Sequence, residues 1–292
     1  MKIIESVEEM REYSQQLKRE GKTIASVDTD AELHDGHKTL VKIAKENADV
    51  VVLSAGHSVN YKEMTSEKYE KYVADYRQRL DGLSRDIELA KSYGVDVFFY
   101  FDANELYVED LIIPIEMCEK VFDFVKNRTS FLNDTPRLSL VIFAVWAHFP
   151  TFKVLMPDIS VLGQKDAYRN FGIESVIKQL GLPIKVIIAP ILRDSDGIAC
   201  SSRNVHLIQV ERQKATSIYQ VLQEVSSWSE PEPINYIKQY ITHHIKSPYC
   251  FVHICCIKSF KDLDVLDRKA VIIVNAFFGE IELEDNNIIE PK

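Results

Sequence analysis

Two patterns of apolar positions alternate through the first two-thirds of the chain. Short apolar runs at Thr23–Val27, Val50–Ala55, Val95–Phe101, Ile159–Leu162 and Ile184–Ile188 read as buried strands. Between them apolar residues recur at helical spacing. Thr39–Lys45 gathers Leu40, Ile43 and Ala44 on one side. A longer stretch carries Tyr69, Tyr72, Val73, Tyr76, Leu80, Leu83, Ile87 and Ala90, and reads as a core-facing stripe. Tyr168–Leu180 is a further helix, closed by Gly181 and Pro183. Gly56 predicts a turn after its strand, and Gly94 the end of the long helix. Strands separated by helices predict a parallel sheet with right-handed crossovers. Such sheets take ligands beyond the carboxyl ends of their strands.

The pattern changes after about Pro190. Val210–Trp228 is one helix, with Ala215, Ile218, Tyr219, Leu222 and Val225 on a face. Residues 229–233 read as a linker, Ile234–Ile245 as a helix, and Phe251–Ile257 and Ala270–Phe277 as strands. The expected organisation is an α/β, Rossmann-like domain over residues 1–190 and a smaller α+β domain over 191–292.

Composition narrows the class. With 292 residues, 46% hydrophobic and 27% charged, the chain is ordinary globular material. A net charge of -9 leaves no electrostatic footprint for nucleic acid or an anionic membrane, so an anionic substrate needs a local cationic site. The five cysteines show no zinc spacing, and adjacent Cys255 and Cys256 would point to opposite faces of a strand. They read as reduced core thiols of a cytoplasmic protein. The amino terminus has no signal-peptide pattern and no stretch is apolar enough to span a bilayer.

Three segments carry candidate chemistry. Leu33-His34-Asp35-Gly36-His37 falls between the first strand and the first helix. A helix start offers unpaired N–H groups to phosphate, Gly36 lets the backbone approach closely, and His34 and His37 can donate to phosphate oxygens. Two surface histidines are the plain alternative. Gly163-Gln164-Lys165-Asp166 again joins a strand to a helix. Lys165 can neutralise phosphate, and Asp166 can accept from ribose hydroxyls or cap the helix that follows. Arg193–Asn204 contains Ser201-Ser202-Arg203, two hydroxyls and a guanidinium in succession, suited to a polyphosphate. A polar cap before the next helix is the alternative there.

These segments, in this order, resemble the pantoate–β-alanine ligase family of HxGH nucleotidyltransferase type, with its HxGH, GEKD and R-x-x-DGLA-x-SSRN loops. The likeness extends to Ala48-Asp49-Val50-Val51-Val52, to Met156-Pro157-Asp158 and to the tail Gly279–Asn286. The resemblance implies a ligase that uses ATP and Mg2+, joins a small carboxylic acid to a small amine through an acyl-adenylate, and works as a homodimer. It implies phosphate contacts from His34 and His37, with His37 in the place of the family's proton donor. It also implies ATP contacts from Asp30, Gly36, Gly163, Lys165, Asp166, Ser201, Ser202 and Arg203. A nucleotidyltransferase that stops before amide formation is the second reading.

Departures from the family pattern cluster where it binds its acid. The family's PTMGALH reads here as Asp28-Thr29-Asp30-Ala31-Glu32-Leu33-His34. Its two pantoate-binding glutamines fall at Tyr61 and Arg169. The GHFxGV segment has no clear counterpart in Thr135–Ala144. Losing paired amides should change the preferred acid. Arg169 could meet a second anionic group, and Asp28 or Asp30 an ammonium; a repacked, solvated loop is the other account of the two aspartates.

Overall fold

The computed structural model describes residues 1–29, 32–57, 82–106, 111, 119–120, 123, 148–228, 230 and 232–290. Six strands form the first sheet: β1 (Lys2–Ile4), β2 (Ile24–Thr29), β3 (Val50–His57), β4 (Val97–Asp102), β5 (Ile159–Gly163) and β6 (Lys185–Ala189). Their order is β1-β4-β3-β2-β5-β6, and β1–β4, β4–β3, β3–β2 and β2–β5 all pair parallel. Near-continuous apolar strands such as Val51-Val52-Leu53 suit a sheet covered on both faces. Period-two alternation then decides which face each residue meets.

Val27, Leu53 and Phe98 pack toward α2 (Asp35–Asn47) and the helix α3 at 82–93, through Val41, Ala44 and Ala90. Ile24, Val52 and Phe99 pack toward α1 (Val7–Arg19) and the helix α4 at 148–155, through Met10, Leu17, Val154 and Leu155. Ser6 caps α1, its Oγ accepting from the Glu9 N–H at 3.3 Å.

The order of strands has a functional consequence. From β2 the chain steps one way through β3 and β4, then returns to lay β5 on the other side of β2. The carboxyl ends of β2 and β5 are therefore neighbours at the reversal, where doubly wound sheets open a ligand crevice.

Gly56 does not turn the chain. It lies inside β3, opposite Phe101, whose ring carbon Cζ would sit 3.0 Å from any Cβ at that position. The glycine leaves room for a neighbouring ring. The stripe from Tyr69 to Leu80, Thr135–Ala144, Cys118, and Ser229 and Pro231 of the expected linker lie outside the described residues.

The chain divides into two compact units. The first takes the amino-terminal strands and helices with Ile159–Leu162 and Val176–Ala189; the second holds Gly163–Ser175 and Pro190 onward. The first half of α5 (Ala167–Leu180) thus belongs to the second unit. That unit contains an antiparallel sheet of β7 (Cys250–Cys256), β8 (Ala270–Phe278) and β9 (Ile281–Ile289), in that order. Leu222 and Val225 of α6 (Gln209–Ser226) and Ile237 and Ile241 of α7 (Ile234–His244) bury Ile272, Val274 and Leu283 of the sheet. Among the described residues no helix is long and apolar enough to cross a membrane.

Candidate active site

His34 is the N-cap of α2, with extended backbone (φ -143°, ψ 174°). Its Nδ1 accepts from the Gly36 N–H at 3.1 Å, and Nδ1 of His37 accepts from the His34 N–H at 3.3 Å. The two rings lie 4.1 Å apart between centroids. This is a reciprocal cap in which imidazole nitrogens play the parts usually taken by serine and glutamate. A ring accepting at Nδ1 carries its proton, when neutral, on Nε2. The cap thus fixes both tautomers and makes Nε2–H the donor of each ring.

The loop leading into this cap is held from α3. Asp86, 2% exposed, accepts from the Leu33 N–H at 2.9 Å, and Arg85 donates to the Leu33 carbonyl at 3.3 Å. Burial pushes the Asp86 carboxyl up from the ordinary range, while the Leu33 and Glu32 amides and the Arg85 charge pull the other way. Sequence reasoning missed Asp86. Its signal was a carboxylate placed on the apolar stripe between Leu83 and Ala90.

Asp28, near the carboxyl end of β2, receives a hydrogen bond from Ser54 Oγ on Oδ1. Its Oδ2 faces His148, whose Nε2 is 3.9 Å away. Asp30 and Tyr61, two further expected site residues, lie outside the described residues.

In the second unit the other two motifs meet one strand. Asn286 on β9 donates to the carbonyls of Gln164 and Lys165 at 2.8 and 2.9 Å and accepts from Gln164 Nε2 at 3.1 Å. Its neighbour Asp285 takes a bidentate pair from Arg193, at 2.6 and 3.0 Å. Arg193 also donates to the Gly197 carbonyl at 3.0 Å and lies 4.4 Å over the Tyr219 ring. Gly197 has φ +90°, and a Cβ there would fall 2.3 Å from Tyr219 Cδ1, so only glycine fits beneath the arginine. Further along, burial opposes the charged form of Asp194, yet Arg212, Cys200 and Asn204 outweigh it and hold that carboxyl below the usual range.

The serine–arginine string is a short 3-10 turn, Ser202–His206. Ser201 Oγ accepts from the Arg203 N–H at 3.3 Å, and Arg203 donates to the Glu282 carbonyl on β9 at 3.1 Å. Gly163 and Asp166 bracket the other loop: the Gly163 carbonyl accepts from Asn170 Nδ2 at 2.8 Å and from the Asp166 N–H at 3.2 Å. Arg169 is half-buried on α5, beside Tyr168, which is 1% exposed. The Tyr168 hydroxyl lies 3.2 Å from His253 Nδ1, and His253 Nε2 lies 2.9 Å from Asp262. These contacts fix the start of α5 against the second sheet.

A doubly wound parallel sheet, an imidazole cap at the switch-point strand and a smaller antiparallel unit define a Rossmann-like α/β enzyme. The chain belongs to the pantoate–β-alanine ligase family, whose model, Pantoate-beta-alanine ligase, matches residues 2–288. That family comprises ATP-dependent, amide-forming ligases. The chain is 30% identical to the pantothenate synthetase of Caldicellulosiruptor bescii over 301 residues, covering 100% of both proteins. It superposes on the crystal structure of pantothenate synthetase from Thermus thermophilus with a TM-score of 0.72 at 25% identity, covering 100% of both chains. The pantoate–β-alanine ligase of Francisella tularensis, solved in complex with beta-gamma ATP and beta-alanine, shares the fold at TM-score 0.66 and 21% identity, covering 99% of this chain and 97% of that one.

Proposed function

We propose that the chain activates a small carboxylic acid with ATP and passes the acyl group to a small amine. A carboxylate oxygen attacks the α-phosphorus, the bond to the bridging oxygen breaks, and pyrophosphate leaves. The amine nitrogen then attacks the acyl carbon, the C–O bond to AMP breaks, and the nitrogen gives up a proton as the amide forms.

The observation that carries this reading is the His34–His37 cap. It stands at the start of α2, just after the switch-point strand in sequence, and leaves Nε2 as the proton-bearing nitrogen of each ring in its neutral form. Donors fixed before reaction stabilise the charge that grows on the phosphate oxygens without reorganising. Gly36, having no side chain, would let a ligand approach the backbone beside them. The family resemblance assigns Asp30 as a further ATP contact. The same resemblance assigns Lys165 to phosphate, Gly163 and Asp166 to the ribose, and the hydroxyls of Ser201 and Ser202 and the guanidinium of Arg203 to the terminal phosphates.

Mg2+ bound to the triphosphate would withdraw charge from it. The described residues hold no group of three or more His, Cys, Asp or Glu suited to a metal. Mg2+ carried on a triphosphate keeps several waters beside the phosphate oxygens.

Tyr61 and Arg169, standing where the family has glutamines, support an acid other than pantoate. The test is a screen of pyrophosphate release with ATP across small acids, pantoate included, with beta-alanine and other amines as acceptors. Mass analysis should find AMP and an amide. Pyrophosphate with a nucleotidylated acceptor and no AMP would instead establish simple nucleotidyl transfer.

A further inference from the structure

Asp28 occupies the next-to-last position of β2, paired with Ser54 across to β3 and with its side chain 11% exposed. By alternation it shares the β2 face of Ile24, which packs toward α1 and α4, opposite to the face that α2 covers. Ser54 Oγ satisfies Oδ1. Oδ2 is buried and has no hydrogen-bond partner among the described residues. Among the described residues the cation-forming group that faces it is His148 Nε2 on α4 at 3.9 Å, beyond hydrogen-bond reach.

A carboxylate oxygen removed from water without a donor destabilises the fold. The position offers no structural return for that cost, since Ser54 needs only one acceptor. It does lie at the ligand end of the central strand, on the strand that leads into His34 and His37. A donor arriving with the ligand would remove the penalty. An alkylammonium brings both the opposite charge and three N–H groups, whereas a hydroxyl brings a single donor and no charge.

We propose that Asp28 binds the ammonium group of the acid substrate. The acid activated here is then an amino acid in the broad sense, a carboxylate bearing an amine, rather than a neutral hydroxy acid. This rests on the ligase reading above and names the class of acid within it. His148 is the internal competitor: as an imidazolium it would neutralise Asp28 with no ligand present.

The experiment is acid-dependent ATP–pyrophosphate exchange with matched pairs of short-chain acids that differ only by amino for hydroxyl, and with pantoate. The expected result is a kcat/KM for the best amino member at least about 10-fold above its hydroxyl counterpart. Asp28→Asn should bring that ratio close to unity. Should Asp28→Asn fold poorly, the wild-type ratio decides, together with a larger rise in thermal midpoint on adding the amino member. A preference for hydroxy acids, or an amino preference untouched in Asp28→Asn, overturns the proposal and leaves the ligase reading standing. Exchange with no acid at all overturns the ligase reading and this proposal with it.

Discussion

Arg193 and Asp285 meet through two parallel hydrogen bonds although 92 residues separate them in sequence. Their side chains are 18% and 5% exposed, so the pair is largely removed from water. Burial drives the Asp285 carboxyl upward, and Arg193 foremost, with the Asn286 N–H and the Lys165 charge, opposes it. The next residue, Asn286, holds the Gln164 and Lys165 carbonyls. Two adjacent residues of β9 thereby set the backbone of both second-unit loops that are proposed to meet phosphate.

Breaking such a pair from one side leaves a buried charge uncompensated. Arg193→Met should cost about 3–5 kcal/mol of stability, read as a lower urea midpoint. Arg193→Lys keeps the charge, loses the fork, and should cost less. Asn286→Ala should instead act on the loop, raising KM for ATP about 10-fold through two carbonyls left unpaired. An Asn286→Ala enzyme with normal KM for ATP would detach Asn286 from the nucleotide loops.

Asp86 makes a pH prediction. Its folded carboxyl is raised above the unfolded value of 3.8, chiefly by burial. Between those two values the folded state binds the extra proton. Its contribution is therefore complete below 3.8 and is lost as pH rises through the raised folded value. Asp86→Asn keeps an acceptor for the Leu33 N–H and cannot ionise. Plots of urea midpoint against pH should lose this slope in Asp86→Asn. Parallel plots for the two proteins would show that Asp86 does not titrate as described.

Much of this architecture is legible in the chain. Apolar runs such as Val50–Ala55 mark buried parallel strands, and the stop at Gly94 marks the end of a helix. What stays hidden depends on distant partners. β9 reads as polar, with Glu284, Asp285, Asn286 and Asn287 in a row inside Ile281–Ile289, because its buried positions include Asp285 and Asn286, satisfied by groups roughly a hundred residues away. Gly56 reads as a turn because only the register with β4 reveals the Phe101 ring opposite. His34 and His37 are visible as a motif, but the cap they build, His34 on the Gly36 N–H and His37 on the His34 N–H, is a matter of geometry.

The cysteines also divide in a way spacing does not show. Burial raises Cys250 to about 11 and Cys255 well above the ordinary thiol value. Burial also acts against the thiolate of Cys256, but hydrogen bonds from Ser259 and Lys258 and the charge of Arg268 outweigh it and lower that thiol. Reactivity follows the thiolate. Of the three, Cys256 should be alkylated first by iodoacetamide near neutral pH, as mapped by peptide mass analysis. Earlier labelling of Cys250 or Cys255 would contradict the burial assigned to them.

His37 has two roles, and they can be separated. Its Nδ1 accepts the His34 N–H, which is the structural half of the cap. Its Nε2–H is the donor proposed to face phosphate. Glutamate at the third helical position is the usual partner in a capping box. His37→Glu should therefore preserve the cap while replacing a donor with a negative charge. The fold should stay within about 0.5 kcal/mol of wild type, whereas pyrophosphate release should fall by about 100- to 1,000-fold. His37→Ala loses both halves, with a comparable drop in turnover and a further loss of about 0.5–2 kcal/mol in stability. If His37→Glu retained near-normal turnover, the imidazole would be a cap alone, and the phosphate-facing role would pass to other groups at the start of α2.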